Sequence, residues 1–321
     1  MMKRRIACAV IGLCGLAPVW AQGSFPDGTL RLVVPFAAGG GVDQAARLLS
    51  RQLQNDLGIP VIVDNRAGAS GTIGGKFVQT AKPDGMTLLF SAATHVLAQQ
   101  VLANPPYDPQ TDFAPVARVG DAPLMLVIPP TAPQNTLKEV LDAARAQPDK
   151  WTAALPALGA PSHLATLLLA QQGQVKLTMA PYRGTAPALA DVAGGHAQLL
   201  LDSIISLQGM AKAGKVKAVV VSSAKRSGVA PDVPTAAESG YPGMIYNSWY
   251  GVWAPKGTPP DRVQLLHKAI NKATAELARS GAYTALGILP VLESTDQFRQ
   301  FVASDIARST ALLKEAGFKP E

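Results

Sequence analysis

The sequence predicts an α/β protein of two lobes, built from parallel or mixed sheets covered by helices. Short β-like apolar runs alternate with amphipathic runs along the chain, as in sheets whose parallel strands are joined by helices. Several strand-to-helix turns are rich in glycine and small polar residues. The chain has 321 residues, 48% of them hydrophobic, so it is long enough for two domains with large cores.

The predicted elements follow from apolar periodicity and turn residues. Strands are predicted at 30–34, 61–64, 87–91, 124–128, 151–155, 176–180, 198–202, 216–222 and 250–254. Helices are predicted at 43–57, 72–80, 137–147, 162–171, 186–194, 262–280 and 295–316. No internal repeat or long linker separates them.

The chain is expected to cross between its lobes twice, near 120–126 and near 244–250. Lobe 1 is then discontinuous and consists of residues 22–123 and 248–321, and lobe 2 consists of residues 124–247. Ligands of open α/β sheets bind at the carboxyl ends of the strands. Two such lobes facing each other would form a ligand cleft.

The N-terminus is typical of a secretory signal. Lys3, Arg4 and Arg5 precede an apolar run at 6–16, and small residues end at Ala21. We expect residues 1–21 to be cleaved after Ala21 and the protein to work in the periplasm. The apolar run is too short for a membrane span, which needs about 20 residues.

Cleavage of this signal would change the cysteine content and the net charge of the protein. Both cysteines, Cys8 and Cys14, lie within it, so the exported chain would have no disulfide, catalytic thiol or cysteine metal ligand. The formal charge falls from +7 to +4 because three basic residues leave and no acid leaves with them. The remaining basic residues form no block, so nucleic acid is not expected as a partner.

The first strand-to-helix turn predicts an anion site. An apolar run at 32–36 ends in Gly39, Gly40 and Gly41, and Asp43 then opens an amphipathic helix. The first N–H groups of a helix have no partner within it, and they carry the positive end of its dipole. A carboxylate or a phosphate would therefore be favoured there.

Other turns of lobe 1 share this small, polar character. They comprise Ala69, Ser70, Gly71 and Thr72 in the second turn and Ser91 and Ala92 in the third. Small residues allow a ligand to approach the backbone, and the hydroxyls add donors. Any one of these turns is equally explained as a tight connection. Their convergence on one sheet edge favours a binding role.

Lobe 2 offers candidates with alternatives left open. Ser162, after Gly159, caps a predicted helix, and His163 is expected to be packed or capping rather than a catalytic base. Arg183 either pairs with a ligand carboxylate or is a solvated loop charge. Asp202 either binds an amine or hydroxyl of the ligand or caps the following helix. The aromatic residues around Tyr250 are expected to pack in the core, with a role in lining the cleft as the alternative.

Catalytic and metal-binding templates are not matched. The sequence has no Gly-x-Ser-x-Gly elbow, no phosphate loop and no spaced third glycine after Gly39. The four histidines are scattered without metal-ligand spacing. We therefore expect no enzyme activity, no metal and no cofactor.

Ordered motifs from about Pro26 to the C-terminus resemble the Bug/TctC family, the periplasmic receptors of tripartite tricarboxylate transporters. The motifs are 34–36 with 39–43 and Arg47, 65–66 with 68–74, 83–85 with 87–89, 107–109 with 112–113, 181–184, 231–235 with 238–240, and 249–251 with 254–255. So many matches in order make chance an implausible explanation.

The resemblance implies a type II, Venus-flytrap periplasmic binding protein with two crossover strands, closing on a carboxylated solute. It assigns ligand contacts, made largely through backbone amides, hydroxyls and water, to Phe36, Gly39, Gly40, Gly41, Asp43, Ala69, Ser70, Gly71, Thr72, Ser91, Ala92, Gly159, Ser162, His163, Tyr182, Arg183 and Asp202. The expected partners are a small carboxylate and the membrane subunits of a transporter, and the expected state is a monomer. The alternatives are a receptor that feeds a membrane sensor and an exported α/β hydrolase.

Overall fold

The computed structural model describes Phe25, Pro26 and residues 28–321. The predicted signal peptide and its cleavage site lie outside the described residues. The strands are β1 (Leu30–Val34), β2 (Val61–Asn65), β3 (Thr87–Ser91), β4 (Phe113–Ile128), β5 (Thr152–Leu155), β6 (Thr178–Pro181), β7 (Leu200–Ser203), β8 (Lys217–Val221), β9 (Asn247–Pro255) and β10 (Leu289–Pro290). The helices are α1 (Gly41–Leu57), α2 (Thr72–Gln79), α3 (Ala93–Val96), α4 (Ala98–Val101), α5 (Leu137–Ala146), α6 (Pro161–Gly173), α7 (Thr185–Ala193), α8 (Ile204–Lys212), α9 (Pro260–Arg279), α10 (Ala282–Leu286) and α11 (Thr295–Glu315).

Every predicted strand and helix is present, most with ends shifted by a few residues, and five elements were missed: α3, α4, α8, α10 and β10. β4 begins at Phe113 instead of residue 124, because Pro115, Gly120 and Pro123 interrupt the apolar pattern of its first half. The helix α8 was missed because it follows β7 directly, with no intervening turn residue in the sequence to mark its start. The short helices α3, α4 and α10 and the two-residue strand β10 are below the length at which periodicity is informative.

The main sheet contains parallel and antiparallel strands, as the predicted fold class allowed. It has more antiparallel pairs than the alternation of strands and helices along the sequence implied. The strands β2, β1 and β3 are neighbours and parallel. The strand β9 pairs antiparallel with both β3 and β4, and β10 pairs antiparallel with β4. β4 and β9 run through the middle of the sheet in opposite directions, so they cannot both be parallel to the others.

The long strand β4 changes partners at one point. Its residues up to Pro123 pair with β9, and those from Leu124 onward pair antiparallel with β7 and β8. At the change, the N–H of Leu124 donates to Ser222 Oγ at 2.9 Å. The predicted boundary between residues 123 and 124 falls at this change; the domain limits themselves stay a prediction.

The core beside the first turn fixes the start of α1. Leu49 and Leu53 of this helix are buried together with Leu32 of β1 and Ile270 of α9. Full burial of such a side chain contributes about 1.5–3 kcal/mol. The packing therefore anchors the body of α1 and leaves its N-terminus at the end of β1. None of the helices in the described part of the chain is long and apolar enough to cross a bilayer.

Candidate functional site

The starts of α1, α3, α6, α7 and α8 surround one cleft between the predicted lobes. The cleft has about 30 Å³ of free interior, so its walls lie close together in this structure. It is lined by Phe36, Gly40, Gly41, Val42, Ala92, Thr94, Pro156, Ala160, Pro161, Thr185, Asp202, Ser203, Ser248 and Tyr250.

The helix starts bring backbone donors to the cleft. In α1, α6 and α7 no side chain caps the helix, and the N-cap residues are Gly40, Ala160 and Gly184. Except at Pro161 and Pro187, which have no N–H, the first N–H groups of these helices are therefore available to a ligand, and the helix dipoles favour negative charge there. No Lys, Arg or His is among the lining residues. An anion in this cleft would be held by dipoles rather than by a cation.

The carboxylate of Asp43 braces the first turn instead of facing the cleft. It accepts hydrogen bonds from the N–H of Gly39 (2.8 Å), from Arg47 Nε (2.9 Å) and from Asn65 Nδ2 (2.9 Å). Burial alone would raise the pKa of Asp43, but these donors hold it below its ordinary value. Asn65 also donates to the carbonyl of Phe36 at 3.1 Å. This network fixes the glycine turn that leads into α1.

The second turn contacts lobe 2 rather than the cleft. Ser70 has a left-handed backbone, with a φ of 51°. Its Oγ accepts a hydrogen bond from the N–H of Leu158 at 3.3 Å, a contact between the two predicted lobes. Thr72 donates its hydroxyl proton to the carbonyl of Ala69 at 2.6 Å, which closes the turn on itself. In this turn, the hydroxyl oxygen of Ser70 and the hydroxyl proton of Thr72 are thus engaged within the protein.

Asp202 lies in the wall of the cleft at the end of β7. Thr185 Oγ1 donates to its Oδ2 at 2.6 Å. Burial raises the pKa of Asp202 to about 6, and hydrogen bonds from Thr185 and the backbone of Ser203 offset only part of that rise. The hydroxyl of Tyr250 donates to Ser203 Oγ at 2.8 Å, so this wall is one connected polar chain.

His163 is packed behind the cleft, where the sequence predicted a packed or capping imidazole. Its Nδ1 accepts a hydrogen bond from the N–H of Gly159 at 3.1 Å, and its ring meets the ring of Phe318 edge-on. Burial lowers the pKa of His163 to about 4, so the ring is neutral at pH 7. Ser162 beside it is fully buried, and the prediction that it caps the helix is wrong, because α6 already begins at Pro161 and its N-cap is Ala160.

The Tyr182–Arg183 turn also stands outside the lining. The hydroxyl of Tyr182 donates to Asp191 at 2.6 Å. The side chain of Arg183 is exposed, while its carbonyl accepts the N–H of Ala37 at 3.4 Å across the two predicted lobes. In this geometry Arg183 joins the two predicted lobes through its backbone carbonyl. Its side chain lies in solvent, which matches the second of the two interpretations of the sequence, a solvated loop charge.

The structure brings five of the predicted ligand residues onto the cleft surface: Phe36, Gly40, Gly41, Ala92 and Asp202. The others lie behind or beside it: Gly39, Asp43, Ala69, Ser70, Gly71, Thr72, Ser91, Gly159, Ser162, His163, Tyr182 and Arg183. These residues affect the cleft indirectly, because they shape the turns that line it. Ligand contact by any of these residues stays a prediction.

Several lining residues were missed. Val42, Ala160 and Pro161 lie within turns predicted to face the ligand, and Thr94, Thr185 and Ser203 lie close to such turns, but none of the six was predicted individually as a ligand residue. Tyr250 is buried and stacked on Phe90, as expected of a core residue, yet it also lines the cleft. Ser248 and Pro156 carry no signal in the sequence, because strand pairing alone brings them to the site.

A two-lobed α/β fold with a cleft lined from both predicted lobes is the architecture of periplasmic solute-binding proteins. Residues 45–318 match the family described as the tripartite tricarboxylate transporter family receptor, TctC. The chain belongs to this Bug/TctC family, which confirms the prediction from the motifs. The family consists of substrate-binding receptors.

Relatives of known sequence match over nearly the full chain. Protein BugT of Bordetella pertussis is 37% identical over 317 residues, covering 97% of each chain. A protein from the tcbD–tcbE intergenic region of a Pseudomonas species is 37% identical over 293 residues, covering 91% of this chain and 87% of that one.

Solved structures agree on the fold. The periplasmic binding protein BugD superposes with a TM-score of 0.87 at 35% identity, covering 92% of this chain and all of that one. MatC from Rhodopseudomonas palustris, solved with bound malate, gives a TM-score of 0.84 at 34% identity, with coverages of 90% and 100%. Rpa4515 of R. palustris, solved with adipate, gives 0.87 at 31% identity, with coverages of 92% and 100%.

Proposed function

We propose that this protein is an exported receptor that closes on a small carboxylated solute and delivers it to a tripartite tricarboxylate-type transporter. The observation that carries the proposal is the cleft itself. Uncapped starts of α1, α6 and α7 converge there, and no basic side chain lines it. Such a site offers directed N–H donors to an anion. The malate and adipate held by two solved relatives are carboxylates as well.

Closure would follow from ligand contacts with both lobes. The lining combines α1 and α3 of predicted lobe 1 with α6, α7 and α8 of predicted lobe 2. A ligand that bridges them binds the closed state better than the open one and shifts the population toward it. The crossing strands β4 and β9 are the natural hinge. Loss of water on closure strengthens each amide contact with the carboxylate.

A binding role accounts for this site better than catalysis. The cleft holds one acid, Asp202, without a histidine or lysine among its lining residues, so it lacks a paired nucleophile and base. Thr185 donates its hydroxyl proton to Asp202 and Tyr250 donates its own to Ser203, so neither hydroxyl is paired with a histidine or lysine base. We therefore propose a receptor without catalytic activity, acting as a monomer in the periplasm.

A thermal-shift screen of the purified exported protein tests the carboxylate assignment. The probes are sodium salts of mono-, di- and tricarboxylates, aromatic acids and amino acids, each paired with its uncharged amide. A ligand at about 100 times its Kd stabilises the native state by about 2.7 kcal/mol, which is a shift of several degrees in Tm. We expect at least one acid, and not its amide, to give that shift. Stabilisation by uncharged solutes alone would overturn the proposal.

Uptake measurements test the delivery step. Membrane vesicles that contain the transporter membrane subunits should accumulate the labelled acid only when the receptor is added in its ligand-bound form. A receptor that binds the acid but leaves uptake unchanged, and that instead activates a membrane sensor, would replace the transport role by a sensory one.

A further inference from the structure

A second pocket lies behind the cleft, on the opposite face of the strand β9. Successive side chains of a strand point to opposite faces. Ser248 and Tyr250 of β9 line the cleft, whereas Asn247 and Trp249 line the second pocket, which we call the rear crease. The cleft and the rear crease are therefore separated by a strand that crosses between the predicted lobes.

The rear crease has one wall from each predicted lobe. Trp249, Phe301 and Arg308 lie on the side of predicted lobe 1, and Ile245 and Tyr246 lie on the side of predicted lobe 2. The walls meet where the guanidinium carbon of Arg308 lies 5.2 Å from the centre of the Tyr246 ring. The crease has about 130 Å³ of free interior, against about 30 Å³ in the cleft. The structure is thus narrow in front of β9 and wide behind it.

Each wall of the crease is tied to its own predicted lobe. On one side, Trp249 Nε1 donates to Asp305 Oδ2 of α11 at 3.1 Å, and the Trp249 ring meets the Phe301 ring edge-on. On the other side, the N–H of Tyr246 donates at 3.2 Å to the carbonyl of Ser222, the residue after β8. A rotation of one lobe relative to the other would therefore move one wall of the crease relative to the other.

Opening of the cleft must narrow the rear crease. Rotation of two rigid lobes about β4 and β9 moves the walls on opposite faces of these strands in opposite senses. Ile245 lies in the crease and is 50% exposed, so a larger group at this position fits while the crease is wide. The same group would collide with the opposite wall once the lobes have rotated apart.

We infer that the rear crease sets the ligand affinity of the cleft, with Ile245 and Tyr246 as positioning residues that act through the hinge. This inference rests on the hinge closure of the proposed function. A group that fills the crease penalises the open state, so it raises the closed population and with it the apparent affinity. The largest possible gain is the reciprocal of the closed fraction of the free wild type.

A single thiol at position 245 tests the inference within one folded protein. Both cysteines of the sequence lie in the predicted signal, so Ile245→Cys would carry the sole thiol of the exported chain. Methyl methanethiosulfonate adds a small group to that sulfur and benzyl methanethiosulfonate a large one, each through a disulfide that dithiothreitol removes. Leu265→Cys takes the same reagents on α9, where position 265 is 46% exposed and does not line the crease, and is the matched control.

Two measurements follow the effect of the added group. Small-angle X-ray scattering of the ligand-free proteins reports compaction, and titration calorimetry with the carboxylates of the thermal-shift screen reports affinity. We expect the benzyl-modified Ile245→Cys protein to have a smaller radius of gyration than the methyl-modified one and to bind the acid about fivefold more tightly. Dithiothreitol should reverse both changes. Damage to packing alone would lower the affinity rather than raise it.

The scattering comparison decides the inference without a ligand. A radius of gyration that is the same for the methyl and benzyl forms of Ile245→Cys would overturn it, and so would an equal decrease in Leu265→Cys. Unchanged or weaker binding by the benzyl form of Ile245→Cys would also overturn it. Binding of no acid by the wild type would count against the proposed function instead, and the scattering of the ligand-free proteins would still decide the role of the crease.

Discussion

Gly41, the first residue of α1, lies directly against Ser206 of α8 across the cleft. A Cβ built at Gly41 would stand 2.9 Å from Ser206 Oγ and 3.3 Å from Ser203 Cβ. Gly40 faces Thr185 in the same way, at 3.4 Å, and has an ordinary φ of −76°. Gly40 and Gly41 therefore provide space for two walls to meet. Gly39 differs, because its φ of 88° requires glycine while no atom crowds it.

We expect Gly41→Val to hold the two lobes apart. The added side chain would collide with α8 only when the cleft is closed, so it penalises the closed state and lowers ligand affinity by about tenfold or more. Titration calorimetry measures the affinity, and small-angle X-ray scattering with ligand present should give the larger radius of gyration of an open molecule.

Gly209→Ala is the control for this change. Gly209 lies within α8, and a Cβ there would meet no atom within 4 Å. It should bind ligand normally and be slightly stabilised, because alanine favours a helix by about 1 kcal/mol over glycine. Normal affinity and normal compaction of Gly41→Val would contradict the prediction that the lobes close through the contact between Gly41 and α8.

The hydroxyl of Ser70 should matter for closure rather than for folding. Ser70→Ala and Ser70→Gly both remove the acceptor of the Leu158 N–H and should weaken ligand binding by about fivefold, the equivalent of about 1 kcal/mol. Their effects on the Tm of the free protein should differ in sign. Glycine relieves the φ of 51° and alanine does not.

Calorimetry and thermal unfolding of the two Ser70 variants separate these effects. Thr72→Val, which breaks the hydrogen bond within the same turn, serves as the control and should lower stability before it lowers affinity. Equal ligand affinity in wild type and both Ser70 variants would rule out the contact as a closure device.

The sequence located the site by its turns but not by its side chains. A glycine turn after a strand predicts the start of a helix. The start of α1 does line the cleft, at Gly40 and Gly41. Which side chain of a turn faces the cleft depends on neighbours that are distant in sequence: Asp43 turns inward because Arg47 and Asn65 meet it there. Ser248 and Tyr250 reach the cleft only through the pairing of β9 with β3 and β4. No local pattern encodes that pairing.

The Asp43 network predicts a stability loss. Asp43→Asn keeps the size of the side chain but replaces one acceptor oxygen by a donor, which would face either the donor of Asn65 or the donors of Arg47 and Gly39. Loss of charge-assisted bonds at a site 2% exposed should lower the free energy of unfolding by about 1–3 kcal/mol. Urea denaturation measures the loss.

Asp296→Asn is the matched control for this prediction. Its carboxylate is 78% exposed and pairs with Arg299 on the surface, so the cost should stay below about 1 kcal/mol. Ligand affinity should also fall in Asp43→Asn, since the turn before α1 loses its brace. A variant as stable as wild type would mean that the network does not hold the turn.

Because burial raises the pKa of Asp202, we expect its contribution to the free energy of unfolding to fall as the pH rises. Its pKa in the folded protein is about 6, above the value of 3.8 for a free side chain, so the native state binds the proton more tightly than the unfolded state does. The native state is therefore favoured below about pH 4 and loses that advantage as the pH rises through 6, by about 3 kcal/mol in total. The side chain of Asp202→Asn cannot ionise, so the variant should not lose stability in this way as the pH rises.

Urea denaturation of ligand-free wild type and Asp202→Asn at pH 4 and pH 8 measures this effect. The variant should gain stability relative to wild type between the two pH values by up to about 3 kcal/mol. The comparison cancels groups that both proteins share, such as His163, whose pKa of about 4 makes acid destabilise the fold instead. Asp149→Asn, which is exposed, should show no such gain. A difference between Asp202→Asn and wild type that is the same at both pH values would show that Asp202 is solvated well enough to ionise freely.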